Sequence, residues 1–138
     1  MKRFGIISLL VLAGFCTAGI AQAQTHQIRA NVPFDFVVAS KHLPAGSYEF
    51  ITQTNGTILI SNGTDRIYVF ASTDQPVNPA KSDGLVFYKY GEDYFLRRIQ
   101  CPTISVNDDL PQSKQEKQLH NRLAWLGPDT VLLAVNGN

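Results

Sequence analysis

The stretch from Leu85 to Gln100 holds the side chains best suited to gripping another molecule: Phe87, Tyr88, Tyr90, Tyr94 and Phe95, then Arg97-Arg98. Tyrosine offers an aromatic face with a hydroxyl at its edge. Arginine offers a planar cation that stacks on rings and donates to carboxylates. Gly91-Glu92-Asp93 lies between the two runs and marks a hairpin. Neighbouring side chains alternate along a strand, so Leu85, Phe87 and Lys89 point one way and Val86, Tyr88 and Tyr90 the other. The same rule sets Tyr94, Leu96 and Arg98 against Phe95, Arg97 and Ile99. One face joins the core. The other carries aromatics and an arginine, and could stack a sugar ring, hold an amphipathic ligand or dock an envelope protein. The candidate binding residues are therefore Tyr88, Tyr90, Tyr94, Arg97 and Arg98. The competing reading buries both faces in a sandwich and lets only tyrosine hydroxyls reach water.

Covalent and metal chemistry find less material. A nucleophilic triad needs Ser, His and Asp together, and the histidines are His26, His42 and His120. His42, beside Ser40 and near Asp35, comes nearest, but no Gly-x-Ser-x-Gly elbow accompanies it. Asn107-Asp108-Asp109 supplies oxygen ligands without the acidic ladder that a calcium loop requires, and reads as a solvated loop. Zinc lacks His and Cys pairs at ligand spacing. A carboxylate pair for glycoside cleavage is set by the fold, and nothing in the sequence selects one. The expectation is no catalytic residue, no metal and no cofactor.

The N-terminal segment has the pattern of an export signal. Met1-Lys2-Arg3 is basic, residues 4–20 are mostly apolar, and Ala21-Gln22-Ala23 places small residues three and one before a cut. Cleavage is expected between Ala23 and Gln24, leaving residues 24–138 as one periplasmic or secreted domain. Gly5, Ser8, Gly14, Thr17 and Gly19 interrupt the run, which argues against a retained anchor. Cys16 follows Phe15 rather than a small residue, so lipidation is not expected.

Losing Lys2 and Arg3 turns a formal charge of +1 into −1. With Arg97-Arg98 as a very small basic patch, nucleic acid is a poor partner. Most strands fall short of the ~9–11 residues that an outer-membrane barrel needs. Cys101 becomes the only cysteine, so no internal disulfide forms and stability rests on the core. Burial of an inert thiol is the expected fate of Cys101.

Short apolar runs bounded by Gly, Pro, Asn and Asp are strand punctuation. Strands are expected over 28–38, with Pro33 limiting the first to an edge or bulge, and over 47–53, 57–61 and 66–72. Asn55-Gly56 and Asn62-Gly63 join the last three into a meander. A loop is expected over 73–83, a hairpin over 85–90 and 94–100, and a second loop over 101–112. Ser113 and Glu116 have capping-box spacing, so a helix runs from about Lys114 to Leu123, with Leu119, Leu123 and Leu126 on its apolar side. Gly127-Pro128 ends it before a final strand over 130–135. Six or seven strands and one short C-terminal helix make a mainly β fold, an antiparallel β-sandwich or partly open β-barrel.

Four segments resemble a family of small, uncharacterised, exported bacterial proteins. They are Val32-Pro33-Phe34-Asp35-Phe36-Val37-Val38, Leu43-Pro44-Ala45-Gly46-Ser47-Tyr48, residues 85–96 (LVFYKYGEDYFL) and Leu110-Pro111-Gln112-Ser113-Lys114-Gln115-Glu116. Relatives often carry His-Arg-Tyr where this chain has Tyr88-Lys89-Tyr90, and a tryptophan near Gln100-Cys101. Those departures imply that neither position holds an indispensable catalytic group. The resemblance implies an exported β-rich domain and brings no known activity. The expected function is non-enzymatic: binding of an envelope protein, carbohydrate or amphipathic ligand, or an envelope-associated structural role. The alternatives are a small hydrolase acting on envelope material and a carrier of an apolar molecule.

Overall fold

A computed structural model describes residues 25–72 and 82–137. The expected signal segment, with its cut between Ala23 and Gln24, and most of the loop expected over 73–83 lie outside the described residues. Two sheets enclose a shared core. The first orders β11 (Asn136–Gly137), β1 (His26–Val32), β4 (Gly46–Thr52), β5 (Thr57–Ser61) and β6 (Arg66–Phe70), all antiparallel. The second orders β10 (Asp129–Ala134), β7 (Gly84–Tyr90), β8 (Asp93–Cys101), β2 (Phe36–Val38) and β3 (Lys41–Leu43), with β9 (Val106–Asp109) also paired to β8. Among the described residues only β2 runs parallel to its neighbour β8, at Val37 opposite Phe95. A single isolated backbone bridge among the described residues, between Ser72 and Asp109, links the sheets, and they do not close into a barrel. The fold is mainly β, and among the described residues the one α-helix is the short α1 (Lys114–Arg122), near the C-terminus.

Alternation explains the core. Ile28, Ala30 and Val32 of β1 face Phe87, Leu96 and Ile99 of the second sheet in one cluster that also holds Tyr48, Phe50, Ile58, Ile60 and Val69. Phe36, Phe50, Phe87 and Phe95 are fully buried. Each such side chain contributes roughly 1.5–3 kcal/mol through removal from water.

The single opening strand expected over 28–38 divides at Pro33. Proline has no N–H to give the ladder, and here the chain leaves the first sheet and enters the second as β2. Phe34, in the crossing, stacks on Tyr94 with ring centroids 3.9 Å apart and meets Phe87 edge-on at 5.1 Å. The loop expected over 101–112 is corrected as well. β8 continues to Cys101, a 3-10 turn spans Pro102–Ile104, and β9 follows with Val106 and Asp108 buried. Its acidic, asparagine-bearing sequence hid a strand because one of its inward positions is an aspartate. Asp108 accepts from Thr52 Oγ1 at 3.0 Å. The meander β4–β5–β6 and the 85–100 hairpin form as expected. The strand count exceeds six or seven because the break at Pro33 adds β2, β9 was read as loop, and β3 and β11 are too short to leave a periodic signal.

Three of the resemblance segments converge on one another. Asp35 Oδ1 accepts from the Ala45 N–H at 2.8 Å, and the Tyr48 hydroxyl donates to Pro44 O at 2.7 Å. Phe36 meets both Tyr48 and Phe87 edge-on. These residues fix the crossing and the turn. They are architecture.

Candidate functional site

The candidate site is built by an irregularity in the β7–β8 pairing. Val86 lies opposite Arg98 and Phe87 opposite Leu96, so Arg97 is an extra residue in β8. Such a bulge re-aims the side chains beyond it. Strict alternation would send Arg98 to the face of Tyr94 and Leu96, and Ile99 to the face of Phe95. The bulge reverses both. Ile99 enters the core with Leu96, and Arg98 joins Arg97 and Gln100 on the outer face.

Helix α1 covers one end of that face. Val37, Tyr90 and Phe95 form a small cluster against which Tyr88, Leu119 and Leu123 pack. The Tyr90 hydroxyl lies 3.3 Å from His120 Nδ1, and its burial raises the phenol pKa. Leu126, expected beside Leu119 and Leu123, is instead exposed. The helix begins as its capping box predicts, with Ser113 Oγ accepting from the Glu116 N–H at 3.0 Å. The Glu116 side chain is buried, with its Oε1 3.5 Å from Arg97 Nε. Burial raises the Glu116 pKa, and the nearby Arg97 guanidinium opposes the rise.

The other end of the face stays open as a groove of 360 Å³. Tyr88 and the two arginines line it from the hairpin, and Thr130 and Leu132 line it from β10. The Arg97 guanidinium lies 5.8 Å from the Tyr88 ring centroid, and its Nη1 donates to Leu110 O at 2.7 Å. Arg98 is gripped at two points by Asp109: Nε donates to Oδ1, and Nη2 to Oδ2 at 3.3 Å. That fork holds the guanidinium in place and leaves N–H groups on its other edge unused by Asp109. Leu132 reaches the groove because Gly84, across the β7–β10 pair, has no side chain. A Cβ there would come within 2.6 Å of Leu132 Cδ1.

Of the five residues singled out from sequence, Tyr88, Arg97 and Arg98 come together in the groove. Tyr90 lies beneath α1 on the same outer face. Tyr94 does not join them. It projects to the core side, stacked on Phe34, with the Lys89 ammonium 5.2 Å from its ring centroid. Asp109 and Leu132 escaped the sequence reading, Asp109 because β9 looked like loop and Leu132 because β10 gave no hint of its neighbour. Burial alternates along β9 at Val106 and Asp108, but with an aspartate inward the sequence itself carries no alternating apolar signal for this strand.

Elsewhere the chemistry is dispersed. His26, His42 and His120 stand on β1, β3 and α1, and among the described residues no three His, Cys, Asp or Glu are grouped to hold a metal ion. Cys101 is a free, fully buried cysteine, and burial together with Asp83 raises its thiol pKa. A broader, shallower groove of 480 Å³ crosses the outer face of the first sheet along the row Arg29, Glu49, Ser61 and Arg66. Its aromatic, Tyr48, is buried in the core with its hydroxyl donating to Pro44 O, so the outward side chains of that row are polar or charged. Arg29 there pairs with Glu49 at 3.1 Å.

No protein-family model matches the chain, and no curated protein or solved structure is significantly similar to it.

Proposed function

We propose that this chain is an exported, non-catalytic binding module whose ligand lies in the groove over Tyr88, Arg97 and Arg98. The observation that carries the reading is the bulge at Arg97, which turns the Arg98 guanidinium onto the face that already holds Tyr88 and Arg97. A volume of 360 Å³ falls within the ~300–1,000 Å³ of small-molecule sites. The walls have two characters. Val86, Leu132 and the Tyr88 ring suit an apolar body, and the edge of the Arg98 guanidinium that Asp109 leaves unused suits an acidic head. The ligand class is therefore an amphipathic carboxylic acid of the cell envelope. The basic, apolar and small-residue pattern of residues 1–23 supports export, as does the resemblance of four segments to small exported proteins. Preformed shape matters here: Asp109 already orients Arg98, so little side-chain freedom is lost on binding.

Titration calorimetry with laurate tests this. Binding by the wild-type chain should weaken at least tenfold in Tyr88→Ala and in Arg98→Ala, with circular dichroism unchanged. Laurate affinity that is absent, or equal in all three proteins, would overturn the assignment.

A further inference from the structure

Helix α1 leads into the most exposed aromatic residue of the described chain. Trp125 is 80% exposed and Leu126 62% exposed, side by side in the turn after the helix. The turn is ordered by its backbone: the Leu126 N–H donates to Leu123 O at 2.9 Å and the Gly127 N–H to the same oxygen at 3.2 Å. Gly127 takes the left-handed conformation, φ 65°, that closes such an exit. Among the described residues, two large apolar side chains are thus held side by side out into water.

The helix beside them is charged with one sign. Lys114, Lys117 and Arg122 are exposed, while Leu119 and Leu123 pack against the sheet. The helix's only acid is Glu116, and it is buried against Arg97. No negative side chain of α1 therefore offsets the cationic ridge.

We infer that the Trp125-Leu126 turn and the cationic ridge of α1 dock this domain on the surface of an anionic lipid bilayer. Tryptophan settles at the headgroup level because its ring is apolar and its indole N–H is not. Lysines above anionic headgroups each contribute an attraction that acts within a Debye length. The helix itself does not sink into the lipid, since Leu119 and Leu123 already pack on Val37, Tyr90 and Phe95. Only the turn inserts, which makes binding shallow, reversible and dependent on salt. A protein partner would suit an exposed tryptophan as well, but a one-signed helix beside two adjacent apolar side chains matches a lipid surface better. The inference is independent of the ligand groove, whose residues it does not use.

The protein carries one tryptophan, so its emission reports on this turn alone. The full chain, processed as cells export it, is mixed with vesicles of phosphatidylcholine alone or with about a third phosphatidylglycerol. The anionic vesicles should shift the emission to shorter wavelength and the neutral ones should not. Co-sedimentation affinity should fall about fivefold for each lysine removed in Lys114→Gln and Lys117→Gln, and should also fall in Trp125→Ser. These positions are exposed, so circular dichroism should be unchanged. No shift on anionic vesicles, an equal shift on both kinds, or binding unaffected by the lysine and tryptophan variants would each overturn the inference.

Discussion

Arg97 Nε and Glu116 Oε1 stand 3.5 Å apart, both buried, at the point where the β8 bulge meets the first turn of α1. The same arginine donates to Leu110 O, and its own carbonyl accepts from the Leu110 N–H at 2.8 Å. One bulged residue thus ties together the hairpin, the segment before the helix and the helix's capping turn. The tie orients the groove's arginines, and it places a carboxylate where desolvation opposes its charge.

That placement gives a sign to the pH dependence. Burial raises the Glu116 pKa in the folded chain above its unfolded value near 4.3. Its contribution to stability is then fully present below the unfolded pKa and is lost as pH rises through the folded one. Glu116→Gln removes the titration while keeping the Ser113 cap, which uses the backbone N–H. The melting temperature of Glu116→Gln relative to wild type should therefore rise as pH increases from about 4.3, the unfolded pKa, and level off once the folded carboxyl is ionised. A difference that stays constant or falls would show that Arg97 outweighs desolvation.

The ease with which each element can be read from sequence follows from how local its cause is. The β4–β5–β6 meander and the capping box at Ser113 are set by residues a few positions apart, and both form as their patterns dictate. The division of the first strand at Pro33 is half-visible, since proline marks the break but not the change of sheet. The bulge at Arg97 is invisible to alternation, because it arises from matching Phe87 to Leu96 and Leu85 to Ile99 across two strands. The site inherits that gap. Tyr88 and both arginines could be singled out by type, whereas their shared face, the exclusion of Tyr94 and the part played by Asp109 depend on pairings between strands distant in sequence.

The β2–β3 turn offers a second test. Val38 pairs with Lys41, leaving Ala39 and Ser40 as a two-residue turn with φ of 45° and 77°. Both are left-handed, a conformation that costs an L-residue about 1–2 kcal/mol and glycine almost nothing. Ser40→Gly should stabilise the fold by about 0.5–1 kcal/mol after glycine's greater unfolded freedom is counted. A lowered urea midpoint would contradict the turn geometry.

Cys101 supplies a third. It is fully buried and its thiol is pushed toward the protonated form, so the reactive thiolate is scarce in the native state. Ellman's reagent at pH 8 should label the native protein at least a hundredfold more slowly than the urea-unfolded chain. Prompt native labelling, or disulfide-linked dimers on non-reducing gels, would refute burial of the thiol.

The central claim is that the bulge assembles a ligand groove on the outer face of the second sheet. Its most direct test is a ¹⁵N-resolved NMR titration with laurate. The account predicts saturable shifts at the amides of Val86, Tyr88, Arg98, Thr130 and Leu132, with Arg29, Ser61 and Arg66 on the far sheet unmoved. Shifts centred on that far face, or no saturable shift at all, would contradict it.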